Sequence, residues 1–441
     1  MTKKILLIEP DFPIPPKSKN HKNFLPIGLL KIASYLRAKG DEVKLVRGIP
    51  KKIDELIEIK EFNPDEIWIT SLFTYWAKYV KDAVQYYKKL FPNSKTIVGG
   101  IYASLMPKDE VKKYTGCDEV FQGIVPEAEK YFPAYDLIKD VNPHPIDYQI
   151  VHSSRGCFRK CPFCGTWKIE PKFESEKSIL EKIKPGLKLG LKNIVFYDNN
   201  LLHNPYIKDI LNELIELKKQ RKIGWCESQS GFDGRLLLKD PELAVLLKKA
   251  GFRYPRIAWD WRYKDYPKIK KQIDILIDAG YNSKEIFIFM IYNWNIPFEE
   301  MEKKRIKCWE WQVQIADCRY RPLNQLYDNY DPTTIGQNSK DYYIHEEAGW
   351  NDALVKQFRK NVREQNICIR HDFPFYSKSF EHKKFGREIR RRVRKLKNIR
   401  DKINFMESIG ADYWVPNQIR YPPGYNNFLK RIKPSLSCGS C

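Results

Sequence analysis

Three cysteines on one short stretch carry the clearest chemistry in this 441-residue sequence. Cys157, Cys161 and Cys164 fall within ten residues of one another. Three thiolates on one loop suit an iron–sulfur cluster that keeps one iron free of protein ligands, and that open iron is a place where chemistry can occur. A closed zinc site would need a fourth ligand, and no cysteine or histidine stands close behind Cys164.

This segment resembles the signature of the radical S-adenosylmethionine (radical SAM) superfamily. Phe163 occupies the position where that superfamily carries an aromatic residue beside the adenine. The resemblance implies that SAM chelates the open iron of a [4Fe–4S] cluster through its amino and carboxylate groups. One electron, supplied by a reductant such as flavodoxin or ferredoxin, then cleaves SAM to methionine and a deoxyadenosyl radical. Oxygen damages such clusters, so a cytoplasmic location is expected, and ten scattered cysteines agree with it.

Strand-like and helix-like stretches alternate after the cysteines. Residues 194–197, 256–259 and 286–291 are apolar and partly β-branched, which is typical of buried strands. Amphipathic stretches at 207–219, 241–250 and 269–279 lie between or beside them. This rhythm predicts consecutive βα units with a parallel sheet. With the resemblance, it favours a partial (β/α)6 TIM-like barrel.

Polar residues follow the predicted strands, at the edge where a parallel barrel binds its ligands. The resemblance implies that Asp198 and Asn199 lie near the amino group of SAM. It implies that Gln229, Ser230 and Asp260 lie near its carboxylate and ribose. The second strand lacks the superfamily's Gly-Gly-Glu, so the amino-group assignment rests on position. Helix capping is the alternative role for each residue.

The first part of the chain predicts an open α/β sheet of flavodoxin-like (Rossmann) type. Strand-like runs occur at 4–8, 43–46, 67–70 and 96–98, with an amphipathic helix at 27–39. Glycines at the ends of such strands let the backbone approach a large ligand closely. The polar and glycine residues at these ends are Ser71, Gly99, Gly100, Ser104 and Gly123.

Together with residues 25–36, these strand ends resemble the cobalamin-binding domain that precedes the radical SAM domain in one large subfamily. The resemblance implies that the five strand-end residues contact cobalamin. The Asp-x-His-x-x-Gly motif, whose histidine ligates cobalt in many cobalamin proteins, is absent, as it often is in this subfamily. A degenerate domain that binds nothing is the alternative. A methylthiotransferase has less support. The first domain of that family would carry three further cysteines for a second cluster, whereas only Cys117 precedes the signature here.

These patterns divide the chain into three predicted domains. Residues 1–146 form the cobalamin-binding-like domain, including a proline-rich surface linker at 125–144. Residues 147–325 form the radical SAM barrel. Residues 326–441 form a basic, mainly helical C-terminal region.

Four residues near the sixth predicted strand are the catalytic candidates. Asp317, Cys318, Arg319 and Arg321 are expected near the open mouth of the barrel. An arginine there could bind a carboxylate or phosphate by a two-pronged contact. An ordinary surface ion pair is the alternative.

The C-terminal region contains a strongly basic run. Residues 383–402 hold eleven Lys or Arg against Glu388 and Asp401, in a chain of formal net charge +23. This predicts a basic helix that lies along the phosphates of RNA or DNA. A solvated helix, an acidic protein partner and an anionic lipid surface are the alternatives. No apolar run of about 18 residues occurs, so no membrane span is expected. Cys438 and Cys441 are candidates for a second cluster, for thiol chemistry, for half of a zinc site with Cys161 and Cys164, or for no role.

Three functions follow from these observations. The leading hypothesis is a cobalamin-dependent radical SAM enzyme, with methyl transfer to an unactivated carbon or phosphorus as the favoured reaction. The second is radical modification of a tRNA or other nucleic acid base without cobalamin. The third is a non-enzymatic iron–sulfur protein that binds nucleic acid in a redox-sensitive way.

Overall fold

A five-stranded parallel sheet opens the chain in the computed structural model, which describes residues 2–13, 25–139 and 145–425. The strand order is β2-β1-β3-β4-β5, the flavodoxin-like order that the sequence predicts. The strands are β1 (Lys4–Glu9), β2 (Glu42–Arg47), β3 (Glu66–Ser71), β4 (Lys95–Gly100) and β5 (Glu119–Val120). The helices are α1 (Ile27–Ala38), α2 (Ile53–Phe62), α3 (Ala77–Leu90), α4 (Ile101–Leu105) and α5 (Lys108–Thr115).

The middle of this sheet is apolar on both faces. Ile5, Leu6, Leu7 and Ile8 of β1 are almost completely buried, because helices cover the sheet on both sides. Their continuous apolar run is therefore typical of a central parallel strand. The carboxyl ends of β3, β4 and β5 lie side by side at one edge.

Six further parallel strands follow in two groups of three. One sheet has the order β10-β9-β6 and the other β11-β12-β13, and β7 and β8 form a small antiparallel pair. The strands are β6 (Tyr148–Val151), β7 (Ser154–Arg155), β8 (Glu174–Ser175), β9 (Asn193–Phe196), β10 (Cys226–Ser228), β11 (Arg256–Ala258), β12 (Phe287–Tyr292) and β13 (Gln314–Arg319). The helices are α6 (Thr166–Ile169), α7 (Leu180–Lys188), α8 (Ile207–Lys219), α9 (Arg235–Lys239), α10 (Glu242–Lys249), α11 (Tyr266–Asp278) and α12 (Phe298–Glu310). The expected α/β fold with parallel sheets is confirmed.

The chain forms two compact units. The first unit contains Met1–Ser230 and Arg321–Asn329, and the second contains Gly231–Tyr320 and Tyr330–Cys441. The three domains with limits at 146 and 325 are a division by motif and stay a prediction.

The predicted surface linker at 125–144 is anchored by buried apolar residues in its described part, residues 125–139. Ala134, Tyr135 and Ile138 are buried in the same apolar cluster as residues of β1 and α1. The hydroxyl of Tyr135 also accepts a hydrogen bond from the Ile150 backbone N–H at 2.8 Å. Apolar burial therefore fixes a segment whose prolines alone suggest a loose connection.

The described C-terminal part is mainly helical, as predicted. Its helices are α13 (Asp352–His371), α14 (Gly386–Lys395) and α15 (Ile399–Ser408). The basic run coincides with α14, where Val393 is buried, Arg390 donates to the Phe380 carbonyl and Arg394 lies over the Phe373 ring. Cys438 and Cys441 lie outside the described residues. Among the helices described, none has the length and apolar character that a membrane crossing requires.

A buried guanidinium fastens a late segment of the chain to the second unit. Arg305 of α12 is fully buried and pairs with Glu302 at 2.8 Å. It also donates to the carbonyls of Pro416 and Gln418, each at 2.7 Å. The ion pair and the backbone of residues 416–418 therefore satisfy the charge of Arg305 together.

Replacing Arg305 with methionine should lower the free energy of unfolding of the second unit by about 3–5 kcal/mol, because Glu302 stays buried without its counter-charge. Urea denaturation followed by circular dichroism measures this loss, and limited proteolysis should cleave near residues 416–418. Lys307→Met is the matched control, since Lys307 pairs with the partly exposed Glu310 on the same helix. Its cost should stay within about 1 kcal/mol. Equal losses in both variants would contradict this role for Arg305.

Candidate cofactor site

The cysteine loop connects β7 to α6. Its shape depends on Gly156, which has φ +74° and where a Cβ atom would lie 2.1 Å from the Lys172 carbonyl oxygen. The backbone N–H of Arg159 donates to the Cys157 sulfur at 3.4 Å, and the indole N–H of Trp167 donates to the Cys161 carbonyl at 3.1 Å. The loop is therefore ordered by its own hydrogen bonds.

The three thiols have the residue type and spacing of iron–sulfur cluster ligands. Cys157, Cys161 and Cys164 are partly exposed, form no disulfide and lie on one loop. Among the described residues, no three His, Cys, Asp or Glu side chains are arranged to hold a single metal ion. A cluster differs because each thiolate binds a different iron. Phe163, the predicted adenine neighbour, is partly buried in the same loop.

The Asp198 carboxylate holds the residues just before the cysteine loop by hydrogen bonds. It is fully buried and accepts hydrogen bonds from the hydroxyls of Ser153 and Ser154, both at 2.6 Å, and from the Ser153 backbone N–H at 3.1 Å. Burial raises the pKa of the Asp198 carboxyl, and these hydrogen bonds oppose the rise. Both carboxyl oxygens are thus engaged between β6 and the cysteine loop. A direct contact between Asp198 and SAM stays a prediction.

Asn199 lies beside the last cysteine. Its side-chain oxygen accepts from the Thr166 hydroxyl at 3.1 Å, and that hydroxyl accepts in turn from the Cys164 thiol at 3.3 Å. Gln229 and Ser230 follow β10 in the same unit, where Gln229 donates to Glu227 at 3.2 Å. The first unit therefore contains the cysteines and four of the five predicted SAM-binding residues.

Asp260 belongs to the second unit, at the end of β11. Burial raises the pKa of its carboxyl to about 6, and the nearby Lys304 ammonium opposes this rise. Lys304 is itself fully buried and donates to the carbonyls of Trp259 at 2.6 Å and Trp261 at 3.0 Å.

Three catalytic candidates lie on β13 in the second unit. Burial raises the pKa of the Asp317 carboxyl to about 6, with Arg359 opposing the rise. Cys318 is exposed. The guanidinium of Arg319 lies 4.3 Å from the Tyr330 ring centroid.

Arg321, the fourth candidate, lies in the first unit. It forms an ion pair with Asp328 and lies 4.0 Å from the centroid of the Tyr75 ring. This corresponds to the ion-pair interpretation of Arg321. The structure does not bring Arg321 into one unit with Asp317, Cys318 and Arg319.

A chain of ion pairs that the sequence did not reveal links the first sheet to the cysteine loop. Lys31 of α1 pairs with Glu129 at 2.7 Å, and Glu129 lies 3.8 Å from Arg155. Arg155 pairs with Glu170 at 2.9 Å, and Glu170 accepts from the Gly156 backbone N–H at 2.7 Å. No local pattern signals these pairs, because Lys31 and Glu129 are 98 residues apart.

The predicted cobalamin-binding residues converge at the carboxyl edge of the first sheet. The Ser71 hydroxyl donates to the Gly99 carbonyl at 2.6 Å, and the Ser104 hydroxyl donates to the Gly100 carbonyl at 2.7 Å. The Gly123 backbone N–H donates to the Ser104 hydroxyl at 2.9 Å. The serines therefore fix the loops, and the backbone of the glycines forms the surface that a large flat ligand could approach.

Gly100 is required by a close approach of two backbones. Its φ of +94° and ψ of −164° belong to a region that glycine alone adopts readily. A Cβ atom there would lie 2.3 Å from the Ser71 carbonyl oxygen. Glycine at this position therefore lets the end of β4 lie against Ser71 of β3.

The sheet edge and the cysteine loop meet directly. Leu105, at the end of α4, lies against Gly165, which follows Cys164. A Cβ atom at Gly165 would lie 3.0 Å from the Leu105 side chain. The two predicted cofactor sites are therefore neighbours within the first unit.

Alanine at Cys157, Cys161 or Cys164 should reduce the iron of anaerobically reconstituted protein from about four atoms per chain to well below one, because a cluster needs all three thiolates. Iron and acid-labile sulfide per chain measure the effect. Cys318→Ala is the matched control, since this exposed thiol lies on β13. Loss of iron in the control as well would argue against the loop as the cluster site.

Gly100→Ala should abolish retention of cobalamin and lower the thermal unfolding midpoint, because the added methyl group forces β3 and β4 apart. Gly116→Ala is the matched control. Gly116 also has positive φ, +81°, but a Cβ atom there meets open space. The control should retain cobalamin and lose only about 1–2 kcal/mol of stability. Cobalt per chain after gel filtration decides the outcome, and equal retention by both variants would contradict this role for Gly100.

Two family models match this chain. The model of the B12 binding domain matches residues 21–135, and the model of the radical SAM superfamily matches residues 151–303. No curated protein matches.

Three solved structures are similar at low identity. Cobalamin-dependent S-adenosylmethionine radical enzyme OxsB in its apo, selenomethionine-labelled form is 13% identical with a TM-score of 0.48, over 70% of this chain and 52% of that chain. OxsB with aqua-cobalamin and S-adenosylmethionine bound is 13% identical with a TM-score of 0.49, over 72% of this chain and 53% of that chain. In both, this chain spans about half of the OxsB length. A cobalamin-binding protein from Desulfitobacterium hafniense DCB-2 is 21% identical with a TM-score of 0.19, over 29% of this chain and 55% of that chain.

The two matched regions follow each other in the order that the sequence predicts. Radical SAM domains use a [4Fe–4S] cluster, SAM and an electron donor, and B12 binding domains hold cobalamin. The chain therefore belongs to the radical SAM superfamily, in the subfamily that carries a B12 binding domain ahead of the radical SAM domain.

Proposed function

We propose that this enzyme transfers a methyl group to an unactivated carbon or phosphorus of its substrate. The contact between Leu105 and Gly165 carries the proposal, because it joins the glycine edge of the first sheet to the cysteine loop. Two cofactors that must cooperate in one reaction need such proximity. When bound, the cluster supplies the electron that cleaves SAM, and cobalamin carries the methyl group.

The residues of the chain hold and orient these groups. We infer that Cys157, Cys161 and Cys164 bind the cluster and that Phe163 packs on the adenine. Asn199, Gln229, Ser230 and Asp260 are proposed to orient SAM, and Asp198 to fix the turn that carries the cysteines. Gly99, Gly100 and Gly123 are proposed to face cobalamin, while Ser71 and Ser104 hold these glycines in place. Asp317, Cys318, Arg319 and Arg321 stay candidates for contact with the substrate.

A nucleic-acid substrate has less support. Arg390 and Arg394 of α14 contact their own unit, and Arg391 pairs with Glu388 at 2.8 Å. These contacts occupy some of the arginine side chains that the sequence analysis assigns to phosphate binding. They support a role for α14 in holding the C-terminal region together. A binding assay with tRNA after neutralising Arg391 and Arg392 would test this alternative.

The products of SAM distinguish the possible reactions. Reduced, fully loaded protein should form 5′-deoxyadenosine and methionine by radical cleavage and, only when cobalamin is present, S-adenosylhomocysteine by loss of the methyl group. Liquid chromatography with mass spectrometry measures all three. Cys161→Ala should abolish 5′-deoxyadenosine, because its cluster site is incomplete. Radical cleavage without S-adenosylhomocysteine would overturn methyl transfer, and absence of both products would overturn the enzymatic proposal.

A further inference from the structure

The second unit contains a solvent-open cavity of about 770 Å³ beside α13, and residues 331–336 on its outer side are exposed. This volume lies in the range of about 300–1,000 Å³ that is typical of small-molecule sites. One wall is a face of α13, and the other is formed by residues 330–337 together with Pro422 and Tyr425.

The α13 wall is strongly cationic. Lys356, Arg359, Lys360 and Arg363 recur every three or four residues, so they project from one face of the helix. The carboxylate in the lining, Asp352, is already engaged: Lys356 lies 3.1 Å from it and the Tyr342 hydroxyl donates to it at 2.9 Å. Arg363 pairs with Glu381. The lining therefore carries four cations against one carboxylate, and the Asp317 carboxyl outside the lining offsets part of the charge of Arg359.

The ring of Tyr330 lies beside the cationic side chains of α13. The centroid of the Tyr330 ring lies 4.3 Å from the guanidinium of Arg319, 5.7 Å from that of Arg359 and 5.9 Å from the Lys356 ammonium. Pro332, Ile335 and Tyr425 add apolar surface to the lining. The site thus combines cations for an anionic group with an apolar surface for the rest of a ligand.

The cavity adjoins the carboxyl end of β13. Arg319 is the last residue of that strand and packs on Tyr330. The charge of Arg359 also acts on the Asp317 carboxyl of the same strand. In βα barrels the ligands bind at the carboxyl ends of the strands. The cationic wall therefore lies at the end of the second sheet where a substrate is expected.

We propose that this cavity binds the anionic group of the substrate, which is a small organic anion bearing a phosphate or carboxylate next to an apolar portion. The excess of cations favours a phosphate, since this group carries nearly two negative charges at neutral pH. The inference rests on the proposed function in taking the bound anion to be the substrate. Arg359 and Lys360 are the principal binding residues, and Arg319 holds the Tyr330 ring in place.

Calorimetric titration of the full-length, cofactor-loaded protein with phenyl phosphate tests this site. We expect saturable 1:1 binding that weakens with salt, weaker binding of phenylacetate, and no binding of the uncharged benzyl alcohol. The double substitution Arg359→Glu with Lys360→Glu should raise the Kd for phenyl phosphate at least tenfold. The matched control is Lys383→Glu with Lys384→Glu, which changes the net charge equally at exposed residues outside the lining, and it should change the Kd less than twofold.

Several results would overturn the inference. Absence of binding by both phenyl phosphate and phenylacetate, equal binding of benzyl alcohol, or equal weakening in the control would each do so. Phenylacetate binding more tightly than phenyl phosphate would overturn the preference for phosphate. Arg359→Gln, with its circular dichroism compared with the unchanged protein, guards against misfolding and should still raise the Kd severalfold. The titration involves no turnover, so failure of SAM cleavage contradicts the proposed function alone.

Discussion

The ion-pair chain from Lys31 through Glu129 and Arg155 to Glu170 is the constraint on which the first unit depends. Lys31 is buried, and burial lowers the pKa of its ammonium while Glu129 raises it. A buried charge is tolerated only when it is paired, so removing Glu129 would leave the Lys31 ammonium in the interior without its counter-charge. The chain ends on the Gly156 backbone N–H, directly before the first cysteine. Electrostatics, and not apolar packing alone, therefore fixes the cysteine loop against the first sheet.

Close contacts at two glycines add to the ion pairs in holding the cysteine loop against the first sheet. Gly100 lets β4 approach Ser71, and α4 then leaves the edge of the sheet so that Leu105 lies against Gly165. Neither contact tolerates an additional methyl group without displacement of a neighbour. A reaction that uses two cofactors in turn needs their sites held at one separation. Charges buried beneath the loop and glycines at its surface together provide that rigidity.

Local sequence patterns predicted the strands and the residues at the edge of the first sheet. Runs such as residues 67–70 and 286–291 gave strands because a buried parallel strand is continuously apolar, and the Ser71 and Gly100 edge followed from strand order. The sequence could not reveal that Ser71 bonds the backbone, or that Arg321 pairs with Asp328. The buried linker residue Tyr135 and the α13 cavity were missed for the same reason, since long-range packing decides both. Residues 125–139 form a loop with two short 3-10 helices, as their prolines suggest, but burial of residues such as Tyr135 and Ile138 holds this loop in place.

The composition of the two compact units has a consequence for synthesis of the chain on the ribosome. Arg321–Asn329 belongs to the first unit, although Gly231–Tyr320 of the second unit is made before it. Within the first unit this late segment places Arg321 over Tyr75 and pairs Trp76 with Tyr327. The ribosome therefore adds nearly a hundred residues after Ser230 before the segment that covers Tyr75 and Trp76 is complete. Tyr75 and Trp76 lack this cover during that interval, when chaperone binding or premature association would compete with completion of the fold.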